Sequence, residues 1–121
     1  MESPKYDLEN RLVKFAILVL EVCDLLPSTK AVNNLEHQLS KSGTAPALMY
    51  GEAQAAESRA DFIHKMKMLL KELRETRITL RIISEKPIIK HPKAELALKE
   101  CNELIGIFSK SIKTAKANSV K

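Results

Sequence analysis

A chain of 121 residues, 45% of them hydrophobic, is long enough to form one domain with a buried core. Its high hydrophobic fraction argues against disorder, and its 3 glycines are too few for the many turns of an all-β fold. A formal net charge of +5 permits acidic partners without requiring them.

The first predicted helix covers about residues 6–26, with Asp7 as a candidate N-cap and Pro27 just beyond its end. Its apolar residues recur at steps of three and four, from Leu8 to Leu26, as expected for a buried helix face. Val13, Ile17 and Leu20 widen this apolar surface beyond the stripe of about 100° that a single core requires. We therefore expect another subunit to cover this side of the helix.

The second predicted helix covers about residues 29–56, with Ser28 as its candidate N-cap. Its apolar rhythm continues through residues 43–46, although the run Gly-Thr-Ala-Pro would ordinarily indicate a loop. A proline inside a helix costs roughly 3 kcal/mol, so the sequence leaves two interpretations open. The region is either one helix kinked near Pro46 or two short helices. The unbroken rhythm favours the kinked helix.

Helices three and four are predicted over about residues 59–85 and 92–116, and residues 118–121 are expected to fray. Ser58 and Asp61 have the spacing of a capping box at the start of helix three. The connections between the helices are short, which forces neighbouring helices to run antiparallel. The sequence therefore predicts an all-α fold, in which residues 1–121 form one antiparallel, up-down-up-down four-helix bundle.

The side chains that could carry catalysis or hold a metal follow no recognisable motif. His37, His64 and His91 stand in no catalytic or metal-ligand spacing, and the glycine-rich turns of common enzymes are missing. We therefore expect no enzymatic activity, no catalytic residues, no bound metal and no cofactor.

The compartment can be judged from the cysteines and from the apolar segments. Cys23 and Cys101 lie in apolar helical segments, so two buried free thiols are expected rather than a disulfide. The first residues lack a signal-peptide pattern, and the most apolar segment, residues 12–26, is too short to span a bilayer. We expect a cytoplasmic protein that has no membrane partner.

Basic residues are concentrated in the second half of the chain. Residues 1–58 carry 5 basic and 8 acidic side chains, whereas residues 59–121 carry 15 basic and 7 acidic ones. Eight of the basic residues recur at helical spacing and are candidate nucleic-acid contacts: Lys67, Lys71, Arg74, Arg77 and Arg81 on helix three, and Lys110, Lys113 and Lys116 on helix four. A solvated surface with pairs such as Lys71–Glu75 is the alternative interpretation.

Four stretches of the sequence resemble a known family when taken together. They are residues 37–44 (HQLSKSGT), 50–53 (YGEA), 58–65 (SRADFIHK) and 70–76 (LKELRET). Their order and spacing resemble the bacterial four-helix-bundle family named after 23S rRNA intervening-sequence proteins, over about residues 6–115. The chain departs from that pattern at residues 45–49 and at residues 78–79, where the family often has an aromatic pair.

The resemblance implies a bundle that assembles as a homopentamer and has a tie to nucleic acid. Members of the family are encoded within intervening sequences of 23S rRNA genes. A related branch serves as the accessory protein of diversity-generating retroelements and works with a reverse transcriptase. Four residues match the family pattern: Glu52, Lys71, Glu72 and Glu75. We interpret them as candidates for pairing between subunits or between helices, with a functional surface as the alternative.

Two functions are therefore consistent with the sequence. The first is a non-enzymatic homo-oligomer that associates with RNA or DNA through a basic surface that contacts the backbone. The alternative is an interaction scaffold that presents helix faces to a protein partner and has no direct nucleic-acid role. The excess apolar surface of helix one supports the scaffold, although oligomerisation alone would explain it.

Overall fold

Four helices arranged in a ring form the part of the chain that the structure describes. This computed structural model describes residues 7–119. The helices are α1 (Leu8–Asp24), α2 (Lys30–Gln54), α3 (Arg59–Glu85) and α4 (Pro92–Ser119). Each packs against the next in sequence, and α1 also packs against α4. The prediction of an all-α, up-down-up-down four-helix bundle is therefore confirmed.

Polar side chains mark the helix starts. Asp7, Thr29 and Ser58 each accept a hydrogen bond from the backbone N–H three residues further on, at 3.0, 3.2 and 3.1 Å. The expectation that Ser28 caps the second helix is wrong, because Thr29 is the residue with extended backbone immediately before α2. Before α4, the Nδ1 atom of His91 accepts a backbone N–H at 3.1 Å, which gives this histidine a structural role.

Some of the predicted helix ends differ from those in the structure. α1 ends at Asp24, two residues before the predicted end. α4 continues to Ser119, so Asn118 and Ser119 belong to the helix rather than to the frayed tail expected there. The predicted start of helix one at Tyr6, and residues 120–121 of the expected tail, lie outside the described residues.

The core is mostly aliphatic and contains two phenylalanines. Its largest fully buried side chains come from all four helices: Leu12, Phe15, Val19, Val22, Leu39, Met66, Leu69, Leu73, Leu80, Ile83, Leu104 and Phe108. Full burial of each contributes roughly 1.5–3 kcal/mol relative to exposure. These are the residues that recur at steps of three and four in the sequence, so the periodicity located the buried faces.

α2 continues through Pro46, which decides between the two interpretations of this region in favour of one helix. Ser42, Gly43 and Pro46 are all buried, so this small-residue segment faces the bundle interior. A Cβ atom on Gly43 would lie 2.6 Å from Cγ1 of Val19 in α1. The absent side chain at Gly43 therefore allows α1 and α2 to approach closely.

The two cysteines are free thiols, as expected, and both are buried. Burial raises the pKa of Cys101 to about 12 and that of Cys23 to about 11. The Cys101 thiol donates to the carbonyl oxygen of Leu73 at 3.2 Å, which ties α4 to α3. No helix in residues 7–119 has a stretch long and apolar enough to cross a membrane.

Candidate nucleic-acid interface

Four of the predicted contact residues share the outward side of α3. Lys67, Lys71, Arg74 and Arg81 are exposed and follow one another at steps of four, three and seven residues. Steps of three, four and seven return to the same side of an α-helix, opposite the buried residues of α3. We call these four residues the basic face.

The charges of the basic face are only partly neutralised. The guanidinium of Arg81 pairs with Glu85 one turn later, with Nε 2.7 Å from the carboxylate. None of the ion pairs within 4.0 Å in residues 7–119 involves Lys67, Lys71 or Arg74. These three cations are therefore available to an anionic partner.

α4 adds a further cation at one end of the basic face. Lys67 of α3 and Lys116 of α4 lie so close that a hydrogen bond from Lys67, together with its charge, lowers the pKa of Lys116. Two neighbouring ammonium groups repel each other, which disfavours the charged form of Lys116. Lys113, also exposed, lies three residues before Lys116 on α4.

The remaining two predicted contact residues lie elsewhere. Arg77 is half-buried on the side of α3 that faces α4, where its charge acts on the thiol of Cys101. Lys110 lines a cleft together with Arg11 of α1, and the described lining of that cleft does not include Lys116. The structure thus brings together the basic face and Lys116, but it does not join all eight cations into one surface.

The family model for 23S rRNA-intervening sequence proteins matches residues 5–110 of the chain. The chain belongs to this family. The match spans all of the basic face and the contact between α2 and α3, so the resemblance noted in the sequence is confirmed. No curated protein matches the sequence.

A crystal structure from the S23 ribosomal protein family of Bacteroides thetaiotaomicron, a protein with unknown function, has a similar fold. It is 26% identical to this family member, with a TM-score of 0.75. The alignment covers 87% of this chain and 97% of the other. The bundle is therefore shared over nearly the full length of both chains.

Two of the stretches that carry the family resemblance meet in the interior of this 23S rRNA-intervening sequence protein. The hydroxyl oxygens of Ser42 in α2 and Thr76 in α3 lie 2.9 Å apart and are both buried. Thr76 is also 2.8 Å from the carbonyl oxygen of Glu72. Because a hydroxyl has one proton, Ser42 donates to Thr76 when Thr76 donates to Glu72. These family residues are thus explained by packing between α2 and α3.

The three predicted pairing carboxylates belong to no ion pair within 4.0 Å in the described residues. Glu52 is exposed on α2, and Glu75 is half-buried beside the basic face. Burial raises the pKa of Glu72, as does the charge of Glu75, while Lys71 and Lys41 of α2 lower it. Pairing of these residues with another subunit stays a prediction.

The structure exposes large apolar side chains on several helices, and we place seven of them in two groups. The first, patch A, contains the predicted residues Val13, Ile17 and Leu20 of α1, which are 42%, 51% and 45% exposed. The second, patch B, contains Leu48 of α2 with Met68, Ile78 and Ile82 of α3, at 70%, 43%, 46% and 44%. Sequence reasoning missed patch B because its residues lie on two helices, and the periodicity of one helix does not show how it is rotated against the other.

Sequence reasoning also missed the ionic contact between α1 and α4. The guanidinium of Arg11 donates to Glu100 through Nε at 2.7 Å and through Nη2 at 3.0 Å, and it donates to Glu103 at 2.9 Å. The spacing of the two glutamates, three residues apart on one helix, was the available signal. Their partner lies in the first helix, so only the packing of the helices identifies it. No cluster of three metal-ligating side chains occurs within residues 7–119.

Proposed function

We propose that this protein is a non-enzymatic homo-oligomer that binds the backbone of RNA or DNA through the basic face of α3. The observation that carries the proposal is the row formed by Lys67, Lys71 and Arg74, which are exposed, share one side of a helix and take part in no described ion pair. Phosphates are the partner that such a row suits, because each neutralised phosphate releases a counterion.

The length of the row fits a nucleic-acid strand. Lys67 and Arg74 are seven residues apart, which is about 10 Å along a helix axis. One strand of a duplex presents a phosphate about every 3.4 Å of axis, so the row spans about three phosphates. The basic face contains no aromatic residue to stack on a base, which favours contact with the backbone over recognition of sequence.

The names of the matching proteins also support nucleic acid as the partner. The family is named for intervening sequences of 23S rRNA, and the solved relative is assigned to a ribosomal protein family. Both names connect relatives with ribosomal RNA or its genes. They support nucleic acid as the partner class without specifying a particular RNA or DNA.

Assembly is the second part of the proposal. Patch A and patch B lie on different elements, so a contact between patch A of one copy and patch B of the next is heterologous. Repeated from copy to copy, such a contact generates a ring when the last copy meets the first. The pentamer implied by the family resemblance is one such ring. Several basic faces in one assembly would bind a long strand more tightly than one face alone. Light scattering that gives a mass of 13.6 kDa would contradict assembly.

The test is a titration of structured RNA and of duplex DNA, followed by fluorescence anisotropy at several salt concentrations. Three phosphate contacts per subunit on duplex DNA predict an affinity loss of about 40-fold between 50 and 200 mM salt. The triple substitution Lys67→Glu, Lys71→Glu and Arg74→Glu should abolish binding at either salt concentration. An affinity that does not change with salt would contradict the proposal.

A charge-matched variant controls for the change in net charge. Lys14, Lys30 and Lys90 are exposed and lie outside the basic face, so their replacement by Glu changes the net charge equally. This control should weaken binding only slightly. Equal losses in the two triple variants would show that net charge, rather than the basic face, causes binding.

Patch B favours a second candidate function, a scaffold for a protein partner. Leu48 is 70% exposed, more than any other large apolar side chain of the described residues. Capture of partners from lysate, with and without nuclease, separates the two functions. Proteins retained after nuclease treatment and lost with Leu48→Ser would favour the scaffold, whereas partners released by nuclease favour nucleic-acid binding.

A further inference from the structure

One end of the bundle contains a cleft that is separate from the basic face. It lies where α1 and α3 begin and where α2 and α4 end, and its volume is about 720 Å³. Ligand sites in proteins usually have volumes of about 300–1,000 Å³. The cleft is therefore large enough for a small organic molecule.

The lining of the cleft has an apolar part and a cationic part. Phe62 and Met66 of α3 and Ile107 of α4 form an apolar wall. Arg59 of α3 and Lys110 of α4 are exposed cations at the same cleft. The described lining residues include no carboxylate, so the site complements an anion that carries an apolar body.

The cations of the cleft are not equivalent. Arg11 is held by Glu100 and Glu103, which offset its charge. Arg59 and Lys110 take part in none of the ion pairs found in residues 7–119. These two residues are therefore the ones that can contact a charged head group.

A smaller cavity between α3 and α4 adjoins the cleft. It has a volume of about 330 Å³ and is lined by Arg59, Phe62 and Ala115, all of which also line the main cleft. Arg59 is the first residue of α3, so the positive end of that helix dipole lies at the same place. The smaller cavity increases the space next to Arg59, and the helix dipole increases the positive potential there.

We propose that this cleft binds a small organic anion, with its apolar body against Phe62, Met66 and Ile107 and its phosphate or carboxylate head at Arg59 and Lys110. The proposal does not depend on nucleic-acid binding, because none of these residues belongs to the basic face. The phosphate of a nucleotide and the carboxylate of a fatty acid both offer anionic oxygen acceptors to these two cations, so the experiment uses both.

The experiment titrates the full-length protein with the aromatic sulfonate 1-anilinonaphthalene-8-sulfonate, followed by its fluorescence, and then adds competitors. We expect saturable binding and displacement by 5′-AMP or by octanoate, but not by adenosine or octanol, which lack the charge. Displacement by AMP identifies a nucleotide-type body, and displacement by octanoate identifies an aliphatic one. If neither anion displaces the dye, the proposal is wrong.

Two variants locate the site. Replacement of both Arg59 and Lys110 by Gln should weaken dye binding by about ten-fold, since charge-assisted contacts are lost. Both positions are exposed, and an unchanged helical circular dichroism signal will show that the fold is intact. The control replaces Lys86 and Lys90 by Gln, two exposed cations at the other end of the bundle, and should leave binding unchanged. Equal affinity in the two variants, or no dye binding to the wild-type assembly, would overturn the proposal.

Discussion

Replacing Gly43 by Ala tests how closely α1 and α2 approach each other. The added Cβ would lie 2.6 and 2.8 Å from the two γ-carbons of Val19 and 3.0 Å from its Cβ. Rotation of the valine side chain cannot move its Cβ, which the backbone fixes. The two helices must therefore separate, or the substitution strains both.

The size of the effect follows from two opposing contributions. Alanine inside a helix gains about 0.5–1 kcal/mol over glycine, whereas overpacking of a filled interior costs roughly 1–3 kcal/mol. We expect Gly43→Ala to lower the free energy of unfolding by about 1–2 kcal/mol. Gly51 and Gly106 are also helical, but an added Cβ there meets nothing within 4 Å. Alanine at either position should raise stability by up to about 1 kcal/mol.

The assay is urea unfolding followed by circular dichroism, with all variants at one subunit concentration, because the proposed assembly would make stability depend on concentration. Replacement by alanine should then lower the free energy of unfolding at Gly43 and raise it at Gly51 and Gly106. In a Val19→Ala background, Gly43→Ala should cost less than it does alone, because the two clashing γ-carbons are gone. If Gly43→Ala stabilises the protein as much as Gly51→Ala does, the reasoning about close approach is refuted.

Three further predictions concern buried polar groups. Because burial raises the pKa of Glu72, the folded state holds a proton more tightly there, and stability should fall as pH rises above the ordinary value of 4.5. Glu72→Gln should remove that decrease and match or exceed wild-type stability at pH 7, as urea unfolding at pH 4 and 7 will show. The Cys101 thiol, whose pKa is raised to about 12, should resist alkylation at pH 8 until urea unfolds the chain, as mass spectrometry will show. Thr76→Val should cost about 1–3 kcal/mol by leaving Ser42 without its partner, and adding Ser42→Ala should recover part of that loss in a double-mutant cycle.

The fold could be predicted because the information that specifies it is local. The apolar rhythm located the buried side of each helix, and the polar residues before α1 and α3 located their starts. The rhythm through Pro46 was informative because residues 42–46 continue the buried face of α2 across the proline. Loop length then limited the helix order, since short links require antiparallel neighbours.

The candidate sites were harder to predict because they depend on how the helices are rotated against each other. Spacing grouped Lys110 with Lys116, but Lys110 lines the end cleft, whereas Lys116 meets Lys67 of α3. Patch B and the end cleft each combine residues from separate helices. Their composition becomes visible only once the packing partners are known.

The Arg11–Glu100 contact has a kinetic consequence. It joins residues 89 positions apart, from the first helix and the last. Because a contact so distant in sequence carries a large loop-closure cost, we predict that it forms after the rate-limiting barrier. Contacts that form after the rate-limiting barrier leave the folding rate nearly unchanged and instead slow unfolding. We therefore expect the contact to extend the lifetime of the native state rather than to speed folding.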